Sequence, residues 1–298
     1  MELFATLDSI IEDSYEEGAL KKYHAYREYQ KKSDILSEKL IGDLHSKYEL
    51  HKATIRSWFP ERAAVPYAVQ FTDWALENQF LEPIHHHCST KLGITSSAPR
   101  FPLLENITYL VWACGTIAES TYSVNITGPK DSLLEICEDI NFQTSWNISP
   151  KKQRGVNAYS IDFKPYTTKL GRLIAPLIGF TGSKIDRVLE IPYLAKRTDA
   201  SKRRFLQTLN SAKGRLTIET RTKRPRKGFT ISLPAQRLEK DAKRLVLEIA
   251  GLAKDVTDMD LNYNVYEREE NGKISYRSRI YTSVDEAAEY LSKCNLKL

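Results

Sequence analysis

The stretch KRRFLQTLNSAKGRLTI, Lys202 to Ile218, with Ile191-Pro192 ahead of it, decides how the whole chain is read. Phe205, Leu206 and Leu209 recur at helical spacing, so residues 201–210 read as a helix. Residues 215–221 then alternate at period two, which is the mark of a half-buried strand. A basic turn follows at 222–228, then a strand at 229–233 and a long helix at 235–254. Strands near 261–266 and 276–282 lead to a closing helix at 284–293. The same order appears upstream: a helix at 106–119, a strand at 122–127, a helix at 130–142, strands near 144–148 and 157–163, and a helix at 166–180. Helix–strands–helix–strands–helix occurring twice is an internal duplication.

On these residues the chain resembles a single-chain LAGLIDADG homing endonuclease over roughly residues 105–298. Ile191-Pro192 and Arg204, Phe205, Leu206, Leu209 and Gly214 fall on slots of the motif that opens the family's second repeat. ITYLVWACGTIAES, Ile107 to Ser120, is similar to the first copy, with Tyr109, Leu110 and Ala113 or Gly115 as small or apolar interface positions. The resemblance implies two helices packed closely through small residues, with carboxylates at their C-terminal ends meeting at the scissile phosphates. It also implies two sheets lying along the major groove. This sequence departs from the pattern at the acids. The second slot is Lys213, with Ser211 nearby. The first is Ile117 in an ungapped match, or Glu119 if one residue is skipped. Phosphodiester cleavage assisted by divalent ions needs carboxylate ligands, so the resemblance here implies binding without hydrolysis.

The charge pattern points the same way. Between Asp199 and Arg244 stand 14 Lys and Arg against 4 Asp and Glu, a local balance of +10 in a chain whose total is +6. Concentrating like charge in this way suits a polyanionic partner. In the strand 215–221, Leu216 and Ile218 share the core side. Arg215, Thr217, Glu219 and Arg221 share the other, followed by Lys223, Arg224, Arg226 and Lys227 around Pro225. Arg277 and Arg279 repeat the basic alternation. The first half offers Ser123, Asn125, Thr127, Asn147, Ser160 and Asp162, a polar and nearly uncharged face, with Lys151, Lys152 and Arg154 in a loop. Arginine and asparagine can read base edges, whereas lysine mainly contacts phosphate.

Ahead of the duplication, residues 1–32 read as helical, with Leu3, Leu7, Ile10, Ile11, Leu20, Tyr23 and Tyr26 as an apolar stripe suited to packing or homodimerisation. Residues 34–59 resemble a helix-turn-helix. Leu36, Leu40, Ile41 and Leu44 form one helix face, and Leu50 and Ile55 pin a second helix that presents His51, Lys52, Ala53, Arg56 and Ser57. Glu49 occupies a turn position suited to glycine and demands an altered turn. Ser96–Pro99 reads as a linker. His85–His86–His87–Cys88 cannot turn every side chain to one ion, and no second ligand pair stands at zinc spacing.

The four cysteines lack C-x-x-C spacing and read as reduced thiols. No apolar run approaches the roughly 20 residues that span a bilayer, and the acidic N-terminus is unlike a signal peptide.

The expected fold is therefore α+β: N-terminal helices (1–32), an all-helical helix-turn-helix region with linker (33–98), and two LAGLIDADG-like αββαββα repeats (99–187 and 188–298). The expected function is sequence-selective binding of double-stranded DNA in a cytoplasmic, nucleoid-associated setting, with no cofactor, no metal and no membrane partner. An active site-specific endonuclease and an RNA-binding intron maturase are the alternatives.

Overall fold

A computed structural model describes residues 2–32, 37–58, 65–86, 89–153, 158–219, 226–270 and 272–294. The chain divides into two compact units, Met1–Phe101 and Pro102–Leu298.

The first unit contains β1 (Leu3–Thr6), α1 (Leu7–Ser14), α2 (Ala19–Lys32), α3 (Glu38–Tyr48), α4 (Lys52–Arg56), α5 (Tyr67–Glu77), β2 (Glu82–His86) and β3 (Ser89–Thr95). It is not all-helical: β1, β3 and β2 form an antiparallel sheet with β3 in the middle. Leu3, expected on a helix, pairs instead with Thr95. Residues 1–32 are thereby tied to residues 89–95 rather than standing apart. Gly93 makes the sheet possible, because a Cβ there would lie 2.8 Å from the Ala5 carbonyl oxygen and 2.5 Å from the Ile84 side chain. Leu7, Ile10, Ile11, Tyr23 and Tyr26 are all buried within the unit. The stripe that suggested a homodimer is thus spent on internal packing, at about 1.5–3 kcal/mol for each large apolar side chain buried.

The second unit begins with α6 (Phe101–Cys114), β4 (Gly115–Ile117), β5 (Val124–Gly128), α7 (Lys130–Gln143), β6 (Pro150–Lys152), β7 (Tyr159–Asp162) and α8 (Thr167–Ile178). After a 3-10 turn at Lys184–Asp186 and the short α9 (Tyr193–Lys196), the order repeats. Next come α10 (Asp199–Lys213), β8 (Gly214–Glu219), β9 (Arg226–Ser232), α11 (Glu239–Thr257), β10 (Asn262–Glu270), β11 (Lys273–Ser283) and α12 (Val284–Lys293). This is a duplicated αββαββα fold, the order of elements that the sequence led us to expect.

Several boundaries move. The first helix starts five residues earlier than expected and stops before Gly115. The strand expected at 144–148 is absent, and its place in the sheet is taken by β6. Each repeat carries a four-stranded antiparallel sheet, in the orders β4-β5-β7-β6 and β10-β11-β9-β8. Helices α7 and α8 cover one face of the first sheet, and α10, α11 and α12 cover one face of the second. The second core gathers Phe205, Leu206, Leu209, Phe229, Ile231, Leu245, Val246, Ile249, Ile280 and Tyr290. Two side-chain caps set helix starts here. Thr198 accepts from the Ser201 N–H at 3.0 Å, and Ser283 forms a capping box with Glu286. Among the described residues, no helix is long and apolar enough to cross a membrane.

Candidate nucleic-acid interface

Helices α6 and α10 end alike, each passing through a glycine directly into a strand. A Cβ on Gly115 would lie 2.7 Å from the Asn125 carbonyl oxygen, and one on Gly214 would lie 2.4 Å from that of Asn210. A Cβ at either glycine would crowd a backbone carbonyl, that of β5 at Gly115 and that of the helix's own last turn at Gly214. The two glycines therefore fix the register between repeats, and the residue equivalent to Lys213 is Cys114. Neither expected first slot survives. Ile117 is fully buried in β4, and Glu119 lies in the exposed turn beyond it. Where the resemblance implied a carboxylate, the fold places a thiol.

The side chains between the two helices are large. The Phe205 ring meets Tyr109 and Trp112 edge-on, at centroid distances of 5.3 and 5.2 Å. Ala113 is buried as expected, but small residues do not set this contact. One turn toward the N-termini, Glu105 is fully buried. It accepts from the Tyr109 hydroxyl at 2.6 Å and forms an ion pair with Arg204. Glu105 and Arg204 occupy equivalent positions in the two repeats, each nine residues before Cys114 or Lys213.

At the helix ends the electrostatics are cationic. Lys184, from the turn joining the repeats, donates to the Val111 carbonyl at 2.7 Å. Burial of its amine is the main cause of a pKa pushed down to about 7; the Lys213 charge adds to the effect and a Cys114 thiolate would oppose it. Burial likewise pushes the Cys114 thiol up, against the pull of Lys213 and Lys184. One thiol and two amines thus stand where the resemblance implied paired acids.

The nearby carboxylates are engaged with cations. Glu119 accepts from Arg187 at 2.8 Å. Asp186 accepts from Arg237 at 2.7 and 3.0 Å, which holds its carboxyl below the usual range. Asp162 lies 3.2 Å from Lys151 and 3.7 Å from Lys164. Among the described residues, no three potential ligands converge on one point.

The sheet registers place the remaining candidates. In the second sheet, Asn262 pairs with Tyr281, Asn264 with Arg279, and Tyr266 with Arg277. Tyr281 continues to Thr230, and Arg279 to Ser232, while Thr230 continues to Arg215. Directly paired residues share a face. Because Ile280 and Ile231 occupy the helix-covered side, the open side carries Arg215, Arg277, Arg279, Asn262, Asn264, Tyr266 and Tyr281. Arg279 is flanked by two aromatic rings, 5.7 Å from the Tyr266 centroid and 5.9 Å from that of Tyr281.

Asn262, Asn264 and Tyr266 were missed in the sequence. Their own alternation was visible, but the intervening Tyr263, Val265 and Glu267 do not read as a core face. Leu216, expected beneath the helices, is 62% exposed on edge strand β8. The open side of the first sheet carries Thr116, Asn125, Thr127, Ser160, Lys151 and Asp162. Its one acid faces lysines, so this side is polar and nearly neutral. Lys152 is exposed at the end of β6, while Ser123 and Asn147 lie outside the strands. Arg154, Arg221, Lys223 and Arg224 fall outside the described residues, as do His87 and Cys88. Arg226 and Lys227 open β9, but their side chains are not described.

In the first unit, α3 ends on Glu49, whose φ of 55° is left-handed, so the altered turn is real. Buried Leu50 follows, and the His51 Nδ1 caps α4 by accepting from the Ala53 N–H at 3.2 Å. Ile55 and Trp58 are buried, while His51, Lys52, Ala53, Arg56 and Ser57 are exposed. Two features differ from expectation. Helix α4 is only five residues long, and Arg56 already donates to both oxygens of Glu38, at 2.9 and 3.1 Å.

No protein-family model matches the chain, and no curated protein matches it by sequence. Among solved structures, full-length DUF199/WhiA from Thermatoga maritima is similar at 12% identity and a TM-score of 0.41, covering 68% of this chain and 58% of that one. The chain therefore spans less than two thirds of the full-length WhiA structure. The N-terminal LAGLIDADG domain of DUF199/WhiA gives 12% identity and a TM-score of 0.36, covering 68% of this chain and 86% of that one. I-DmoI, solved in complex with DNA and calcium, gives 12% identity and a TM-score of 0.39, covering 65% of this chain and 88% of that one. At such distance these likenesses leave function to be argued from the residues of this chain.

Proposed function

We propose that this chain binds double-stranded DNA with sequence preference and does not cut it. The observation that carries this reading is the open side of the second sheet, where Arg215, Arg277 and Arg279 stand among Asn262, Asn264 and two tyrosines. A two-stranded ribbon fits the major groove, and arginine and asparagine match the hydrogen-bonding edges of guanine and adenine. The basic segment at 221–227, between β8 and β9 in the sequence, adds charge suited to phosphates. The neutral first sheet and the exposed residues of α4 supply further contacts, the latter in the manner of a short helix-turn-helix.

Lys213 and Cys114 at the helix ends favour holding a phosphate over activating water beside metal ions. A protein that grips a site without cleaving it serves regulation, replication or segregation of DNA. Fluorescence anisotropy on duplex DNA across a salt series tests the reading. Steeply salt-dependent binding supports it, and retention that ignores salt would replace it with a protein-interaction role. Structured RNA winning in competition would favour the maturase alternative.

A further inference from the structure

We propose that Lys184 joins Lys213 in seating one backbone phosphate at the ends of α6 and α10, and that Lys184 gains a proton as that phosphate arrives. This rests on the DNA-binding function proposed above.

The geometry is specific to the junction between the repeats. Lys184 stands in the 3-10 turn between α8 and α9, and its Nζ reaches the carbonyl of Val111 in the last turn of α6. A helix C-terminus carries partial negative charge from its unpaired carbonyls, so it can hold an amine in place without neutralising it. The groups acting electrostatically on this amine are Cys114 from α6 and Lys213 from α10; no carboxylate is among them. On its own turn, Asp186 is taken by Arg237 and the adjacent Arg187 by Glu119. Two amines are therefore gathered beside a thiol, and among the described residues no carboxylate acts on Lys184. Assembling like charges in a partly dry place costs stability, and an incoming anion would recover it.

The junction also borders the open side of the sheets. Thr127 of that side donates to the Cys114 carbonyl at 3.4 Å, and Lys213 is two residues from exposed Arg215. A phosphate running past the sheets thus meets these amines.

Protonation follows from the same surroundings. With a pKa pushed down to about 7, Lys184 is mostly neutral at pH 8.5 in the free protein. A phosphate within hydrogen-bonding distance favours the ammonium form. Binding at pH 8.5 should then take up about one proton, and binding at pH 5.5 about none, because the amine is already charged there.

The test is isothermal titration calorimetry of the full chain with its selected duplex, in two buffers of different ionisation enthalpy, at pH 8.5 and pH 5.5. The wild type should show buffer-dependent heat at the higher pH only. Lys184→Arg, whose guanidinium stays charged, should keep its affinity and lose the buffer dependence. Lys184→Met should lose both, with affinity falling about tenfold or more. Tight binding with equal heats in both buffers at pH 8.5, or an unchanged proton count in Lys184→Arg, overturns this inference and leaves the proposed function intact. A wild-type chain that binds no duplex overturns both.

Discussion

Arg279 shows how much one side chain can be set up in advance by its neighbours. Its guanidinium lies between the rings of Tyr266 and Tyr281, and its Nε makes no hydrogen bond among the described residues. Stacking of this kind fixes the plane of the fork and leaves its edge for a base. Arg279→Ala should relax selectivity at one or two base pairs and cost about 1–3 kcal/mol of binding. Selecting bound sequences with both proteins reads the effect, and identical preferences would remove Arg279 from the base contacts. Arg56 is a different case, since its Nη2 already donates to both oxygens of Glu38. Glu38→Gln should free Arg56 and tighten binding on all sequences, whereas Arg56→Ala should weaken it; direct titration of both variants decides. Glu28 gives a pH signature. Hydrogen bonds from Lys32, Lys47 and Tyr48 hold its carboxyl down at about 2, against an ordinary 4.5. A depressed carboxyl stabilises the fold above its unfolded value, and that contribution is lost as pH falls from about 4.5 through about 2. Acid titration of the folded protein should therefore show less loss across that window in Glu28→Gln, which can no longer titrate.

At the scale of elements, what the sequence revealed depended on whether burial left a period behind it. The second repeat was legible because Phe205, Leu206 and Leu209 mark a helix face and Arg215 onward alternates. The sheet β1-β3-β2 was not, because LFAT, EPIHH and STKLGIT are short, and their pairing depends on a close backbone approach at Gly93 that periodicity does not encode. The first helix end was misplaced for another reason. Ile117 and Glu119 stand out only if a carboxylate marks the helix end, whereas the residue that fixes the junction is Gly115. The α6–α10 contact carries its own prediction. Arg204→Met would strand the Glu105 carboxylate in a buried site, and removing one member of such a pair costs about 3–5 kcal/mol. Urea unfolding should show that loss, and the double variant Glu105→Gln, Arg204→Met should recover much of it. A single variant as stable as the wild type would mean that solvent reaches Glu105 after all.

One segment of the second repeat carries a balance of +10 in a chain whose total is +6, so the remainder is net acidic. Neutralising Lys223, Arg224, Arg226 and Lys227 together should weaken binding to every sequence and lower the salt slope by about 0.9 for each phosphate no longer neutralised. An unchanged slope would place the segment away from DNA. Incubation with supercoiled plasmid and magnesium or manganese should leave the plasmid intact, and nicking abolished by Glu119→Gln would return the chain to the nucleases. Beyond binding, the Glu105–Arg204 pair bears on what the chain can assemble with. The two residues stand at equivalent positions of opposite charge, so α6 and α10 satisfy each other. Two α6 helices from separate molecules would press carboxylate against carboxylate, and two α10 helices guanidinium against guanidinium. Pairing of like repeats from separate copies is therefore penalised at this contact, while pairing of unlike repeats is favoured. Duplication placed both partners in one chain, and this pair of charges makes each half select an unlike half, which the connecting chain supplies from its own molecule.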